Sequence, residues 1–324
     1  MPGLPASLPT IPLAAFPTPV EELLNLRQQL SGAGHAIPRL LVKRDDAISF
    51  AFGGNKVRKM QLVAADALKQ RAETLITCGG VQSNHARVTA ATAAKLGIKS
   101  ILVANGRPSE RATGNALLDR LLGAEIRYVS DRSERAPQME AAAEELRLFG
   151  RKPYVIPIGA SKPLGAAGFV QAVFELLQQI EAPDVIVHST SSGGTQAGLV
   201  AGCLLAGVAT RVIGISADET SANLERDIRA ILDGLEVLLG VERGKFAKAD
   251  VNVDDAFVGG GYGVPTDASR EAIDLLARSE ALFLDPTYTS KAMAAVIAGC
   301  RRGEFSDTPT LLFWHTGGQV GLFA

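Results

Sequence analysis

Cysteine is scarce in this sequence. Only Cys78, Cys203 and Cys300 stand in 324 residues, far apart and in no paired spacing. That excludes a disulfide scaffold and a thiolate zinc site, and it fits a reducing compartment such as the cytoplasm. Net charge is nearly absent: 33 Lys and Arg against 34 Asp and Glu leave −1. Without a basic excess there is no electrostatic footprint for nucleic acid or an anionic membrane, and neither is expected as a partner. Uncharged apolar runs long enough to span a bilayer are missing. The apolar stretch 1–19 is broken by Pro2, Pro5, Pro9, Pro12, Pro17 and Pro19 and follows no basic segment, so it does not read as a signal peptide. His35, His85, His188 and His315 stand at no metal-ligand spacing, and no metal is expected. There is no internal repeat, no nucleotide P-loop and no Gly-x-Gly-x-x-Gly with an acidic ribose ligand.

What the chain has is alternation. Residues 74–78, 99–104, 125–129, 154–158, 184–188, 211–216 and 310–315 are short, mostly apolar runs, as strands buried on both faces of a parallel sheet require. Between them lie Ala-rich helical patterns at 60–71, 85–96, 137–149, 164–180, 196–205 and 268–277. The order predicts an α/β fold with parallel-rich sheets flanked by helices. A break at 159–165 separates two sets of strand–helix units. The expected division is a large domain of 1–58 and 164–324 and a small domain of 59–163, with the site in the cleft between them.

Three segments carry candidate chemistry. Residues 53–59 read Gly-Gly-Asn-Lys-Val-Arg-Lys and offer the Lys56 amine on a tight turn. Residues 79–85 read Gly-Gly-Val-Gln-Ser-Asn-His, between a strand and a helix start. There Ser83 and Asn84 serve equally as helix caps or as a clamp for a carboxylate. Ser191-Ser192-Gly193-Gly194-Thr195 follows a strand and opens a helix, which suits an anion. Taken singly, these are a surface lysine, a cap and a flexible turn. Together, an amine, a polar clamp and a phosphate cup are what a pyridoxal phosphate enzyme needs. Glycine-dense 259–265 and the turn 285–291 add Tyr262 and Tyr288, each of which alone reads as a packing residue. His188 and His315 read as structural histidines.

Segments 53–59, 80–87, 153–159, 193–198, 261–265, 284–289 and 315–318, in this order, resemble one branch of the pyridoxal-phosphate fold-type II family. That branch contains D-cysteine desulfhydrase and 1-aminocyclopropane-1-carboxylate deaminase, and the likeness spans roughly residue 16 to the C-terminus. The resemblance implies a two-lobed fold like the tryptophan synthase β chain, a homodimer, and pyridoxal 5′-phosphate bound through Lys56. It implies that Ser83, Asn84 and His85 cradle the substrate carboxylate, with Asn84 also near the cofactor's phenolic oxygen. Ser191, Ser192, Gly193, Gly194 and Thr195 would hold the phosphate. Tyr262, Tyr288 and Thr289 would face the substrate, and Thr316 the pyridine nitrogen. Catalysis would fall to Lys56, with Ser83, Tyr262 or Tyr288 as alternative bases.

Deaminases of this branch carry Glu and Leu where this chain has Thr289 and Thr316. A hydroxyl beside the pyridine nitrogen suits removal of an α-proton with loss of a good β-leaving group. The resemblance therefore leans toward β-elimination, with D-cysteine giving pyruvate, sulfide and ammonia. L-cysteate lyase, D-serine elimination, cyclopropane deamination and a non-catalytic pyridoxal-phosphate-binding homologue stay open.

Overall fold

The structure, a computed structural model, describes residues 8–108 and 110–324. Pro2, Pro5 and the rest of residues 1–7 of the expected large domain lie outside the described residues. The strands are β1 (Val20–Glu22), β2 (Arg39–Arg44), β3 (Thr74–Gly80), β4 (Lys99–Asn105), β5 (Glu125–Val129), β6 (Pro153–Val155), β7 (Val185–Thr190), β8 (Arg211–Ser216), β9 (Asn252–Asp254) and β10 (Thr310–His315). The α-helices are α1 (Leu24–Leu30), α2 (Asn55–Lys69), α3 (Asn84–Leu96), α4 (Gly114–Leu121), α5 (Arg135–Leu148), α6 (Pro163–Leu177), α7 (Gly194–Ala206), α8 (Ser221–Leu239), α9 (Asp267–Glu280) and α10 (Thr289–Arg301).

The strands form two sheets. One is four-stranded, β5-β4-β3-β6, and parallel throughout. The other is six-stranded, β1-β2-β10-β7-β8-β9, and parallel except for the edge pair β1–β2. Every residue of β7 is buried, and so are five of the six in β10, as a layer covered on both faces demands. Core clusters lie on each face of the larger sheet. One joins α6, α7 and α8 through Phe169, Ile228 and Trp314. The other joins α9 and α10 through Leu276 and Met293.

Several boundaries differ from expectation, and the differences place the site. Strand β3 runs on to Gly80 and β7 to Thr190, so both candidate loops leave directly from strand C-termini. Helix α2 begins at Asn55, five residues before the expected start at 60, so Lys56 stands in its first turn. Gly54, at φ +100°, lets the chain enter that turn while its N–H donates to Asp45 O at 2.8 Å. Asn55 N–H then donates to Thr316 O at 3.0 Å, tying the helix start to the end of β10. Strand β6 stops at Val155, short of the expected 158, ahead of Pro157, which has no N–H to offer.

A buried ionic cluster fixes α2 further along. Arg58 donates to both Asp45 oxygens at 2.8 and 2.9 Å and to Glu175 at 2.8 Å. Trp314 Nε1 donates to Asp45 at 2.9 Å, and Lys43 donates to Glu175 at 2.6 Å. Helix α2 is thereby bolted to β2, β10 and α6.

Candidate active site

Lys56 lines a cavity that measures about 770 Å³ with its open mouth included. That suits a cofactor together with a small substrate. Among the described residues the Lys56 amine has no hydrogen-bond partner. Enclosure by protein, with no acid at hand, pulls its pKa down to about 8. Its neighbour Lys59 points away and donates to Gly159 O at 3.1 Å. Burial first, and then the nearby Lys56, hold Lys59 well below the usual lysine range.

Helix α3 supplies the second wall. Ser83 is its N-cap, with Oγ accepting from Ala86 N at 3.2 Å. The N–H groups of Asn84 and His85 belong to the first turn and have no helical carbonyl to bond. Asn84 Oδ1 accepts from Arg87 at 3.0 Å and from Asn115 at 2.9 Å, so its amide N–H groups are the free end. His85 Nε2 meets Thr77 Oγ1 at 2.8 Å, and the Thr77 hydroxyl donates to Ile156 O. The Thr77 proton is thus committed, and His85 is the donor at Nε2. Burial, reinforced by Lys56 and Lys59, pushes His85 well below its ordinary pKa and keeps it neutral.

Helix α7 supplies the third wall. Gly193 takes φ +74°, which turns the chain sharply into the helix and leaves the first-turn N–H groups directed out of its N-terminus. Ser191, Ser192, Gly193 and Thr195 line the cavity; Gly194 sits just behind, its N–H donating to Ser192 O at 2.9 Å. Asn55 Nδ2 donates to Thr195 Oγ1 at 3.1 Å, linking this loop to the lysine helix. Thr316 closes the floor, its hydroxyl 2.9 Å from that of Ser189. Overhead, the hydroxyls of Tyr262 and Tyr288 lie 2.6 Å apart. Thr289 does not reach the cavity. Its hydroxyl donates to Asp285 Oδ1 at 2.7 Å, and Asp285 also caps the turn that presents Tyr288. Neither His188 nor His315 lines the cavity.

An unpaired amine between two helix N-termini, with a hydroxyl opposite, fits an aldehyde carrying a phosphate. A family model described as pyridoxal-phosphate dependent enzyme matches residues 11–317. The chain belongs to this family. Its cofactor is pyridoxal 5′-phosphate. Among similar proteins, D-cysteine desulfhydrase of Klebsiella pneumoniae (strain 342) is 37% identical, covering 98% of this chain and 96% of the relative. The D-cysteine desulfhydrase of Salmonella typhi is 38% identical at the same coverage. A solved structure of an ACC deaminase homologue superposes with a TM-score of 0.90 at 36% identity, covering 99% of this chain and 95% of that one. A pyridoxal 5′-phosphate-dependent aspartate racemase, at TM-score 0.69 and 16% identity, shares the fold.

Sequence reasoning did not find Asn55, Arg135, Ser189 and Asp218, all of which line the cavity. Asn55 had a signal, since it adjoins Lys56. Arg135 and Asp218 had none, because only the pairing of β4 with β5 and the run of the chain past β8 bring them to the mouth. Among the described residues no helix is long and apolar enough to cross a membrane.

Proposed function

We propose that this enzyme catalyses β-elimination from a small amino acid, with D-cysteine as first substrate and pyruvate, sulfide and ammonia as products. The observation that carries this is the Lys56 amine, unpaired and depressed to about 8, opening between the N-termini of α3 and α7. The two desulfhydrases, similar over nearly the whole chain, supply the substrate.

When bound, the cofactor draws electrons from the substrate's α-carbon and acidifies its proton. Lys56 would hold the cofactor, and its amine would be the base for that proton. The tyrosines are poorer bases. Burial raises both phenols, Tyr288 well above its ordinary value, so they stay protonated and serve as donors. The N–H groups of Asn84 and His85 and the Ser83 hydroxyl hold the substrate carboxylate. The loop 191–195 would hold the phosphate, and the free Asn84 amide would serve the cofactor's phenolic oxygen. Thr316, already paired with Ser189, would offer the ring nitrogen a hydroxyl rather than a carboxylate. Thr289 acts at one remove, through Asp285 and the Tyr288 turn.

A second reading is ring opening of aminocyclopropane carboxylate, favoured by the close superposition on the ACC deaminase homologue. Thr316 weighs against it, since no carboxylate stands at the ring-nitrogen side. A non-catalytic homologue that binds the cofactor through Lys56 would present the same amine, and turnover in a substrate panel separates it from an enzyme. We also propose the division into a domain of 1–58 and 164–324 and one of 59–163, supported by the confinement of β3–β6 to a sheet of their own. A homodimer in the cytoplasm is part of the same reading. The deciding experiment is a substrate panel of D-cysteine, D-serine, L-cysteate and aminocyclopropane carboxylate, assayed for pyruvate, 2-oxobutyrate, sulfide and sulfite. Sulfide with pyruvate from D-cysteine is the expected result. Faster 2-oxobutyrate formation from the cyclopropane would overturn it.

A further inference from the structure

The segment 255–266 brings Tyr262 to the cavity without a helix or strand of its own. The backbone bonds beside Tyr262 are long, 3.4 Å from Gly261 N to Val258 O and 3.3 Å from Val264 N to Gly261 O. A lysine that the chemistry does not use holds this segment in place. Lys291, the third residue of α10, is fully buried. Its Nζ donates to Val258 O at 2.7 Å and to Gly261 O at 2.8 Å. A third bond goes to Ala217 O at 3.0 Å, in the turn after β8 that presents Asp218.

Three acceptors around one nitrogen use every N–H of an ammonium, where a neutral amine has only two. The contact set is that of a charged lysine. No carboxylate lies within salt-bridge reach of Lys291 among the described residues. Burial lowers its pKa, and the charges of Asp218 and Asp285 act only to offset that lowering. A buried ammonium that meets only carbonyls is costly, and an apolar side chain of equal length would fill the same place. Its position gives the reason for it. Tyr288 is the N-cap of α10, three residues before Lys291. One helix end therefore presents Tyr288 directly and ties down the Tyr262 segment through Lys291. The two hydroxyls meet at 2.6 Å, with the rings edge to face at 5.7 Å. The same ammonium steadies the turn from which Asp218 accepts from Arg132 Nη2 at 2.8 Å.

We propose that Lys291 is a positioning residue for the reaction: its ammonium fastens the Tyr262 segment and the Asp218 turn to the helix that carries Tyr288, and so sets the tyrosine pair over the substrate. Lys291 does not line the cavity and acts only through these neighbours. Loss of its charge takes away the donor that the carbonyls of 217, 258 and 261 share, and frees Tyr262 to drift from Tyr288. Lys56 and the phosphate loop stand on α2 and α7 and are held by other contacts. The consequence for turnover rests on the β-elimination reading, and the consequence for the tyrosines does not.

The test uses the pyridoxal-phosphate-loaded enzyme and reads the tyrosines as well as turnover. The chain has four tyrosines, Tyr128, Tyr154, Tyr262 and Tyr288, so 3-fluorotyrosine labelling places a fluorine probe at each. Tyr262→Phe and Tyr288→Phe assign the two cavity signals by fluorine NMR. Lys291→Met should move or broaden the Tyr262 and Tyr288 signals and leave those of Tyr128 and Tyr154 in place. Its kcat/KM for D-cysteine should fall about 100-fold, as displacement of an active-site group does, with cofactor affinity unchanged. In a double-mutant cycle Tyr262→Phe should slow wild type but add little to the loss in Lys291→Met, whereas a merely structural role would make the losses additive. Unmoved tyrosine signals overturn the inference, as do additive losses or equal shifts of all four signals. If Lys291→Met does not fold, Lys291→Gln, which keeps two N–H donors, is read in the same way. A smaller shift of the same two signals is then expected, and no difference from wild type overturns the inference. Selective shifts in an enzyme that leaves D-cysteine untouched would sink the proposed function and leave the role of Lys291 standing.

Discussion

In the proposed reaction the chemistry is concentrated in one amine. Burial lowers Lys56 from the usual 10.5 to about 8, and only its neutral form can attack the cofactor's aldehyde. Covalent capture of pyridoxal phosphate by cofactor-free protein should therefore quicken about tenfold per pH unit up to about 8 and level off above it. Stopped-flow absorbance gives the profile; a rate still climbing at pH 10 would mean an unperturbed lysine. Borohydride reduction followed by peptide mapping should fix the cofactor to Lys56, not to Lys59 or Lys162, and Lys56→Ala should abolish turnover. Lys56 was legible because Gly-Gly-Asn precedes it and two anion-binding loops accompany it. Arg135 was not, because in sequence it is one basic residue among Arg132 and Arg135 around Glu134, and nothing local marks it as buried. Thr289 shows the opposite failure. Its place beside Tyr288 suggested substrate contact, yet backbone direction turns its hydroxyl to Asp285.

Among elements, the start of α7 is the most demanding. A side chain on Gly193 would be strained at φ +74° and its Cβ would lie 2.9 Å from Ile228 Cγ1. Gly193→Val should cost cofactor affinity at least tenfold more than Thr195→Ala. The latter removes one side-chain contact and should cost about 1 kcal/mol. Fluorescence titration with pyridoxal phosphate makes the comparison, and equal affinities in Gly193→Val and wild type would take the loop out of the site. Helix α2 depends on Arg58, whose pKa burial would lower but whose partners Asp45 and Glu175 raise on balance. Arg58→Met leaves Asp45 buried without a cation and Glu175 with Lys43 alone, and should cost about 3–5 kcal/mol by urea unfolding. The alternating strand–helix pattern made most elements legible, including β5, β8 and β10 to the residue. Helix α8 went unread. Its Leu224, Ile228, Ile231, Leu235 and Leu239 repeat at helical spacing, but charged residues stand between them and no Gly-rich loop precedes them. The early start of α2 went unread because glycines ordinarily end helices, whereas here two of them admit one.

At the scale of the whole molecule, the two sheets meet across a cavity into which each directs a helix N-terminus, α3 from the smaller and α7 from the larger. Lys56 and Arg135 add to the same sign. Asp218 offsets part of that excess, and without the cofactor the remainder is expected to loosen the joint between the two sheets. Filling the cavity with a phosphate dianion opposes that loosening, so the cofactor is mortar between the sheets as well as reagent. Cofactor-free protein should therefore melt at a lower temperature than the loaded enzyme. Inorganic phosphate alone should recover part of the difference, rising with concentration as RT ln(1 + [L]/Kd), while sodium chloride at equal ionic strength should recover much less. Scanning calorimetry distinguishes the two salts, and an identical response to both would deny the cavity this role. What looks like a catalytic centre is also the joint on which the fold closes, and cells short of the cofactor would be expected to lose the protein as well as its activity.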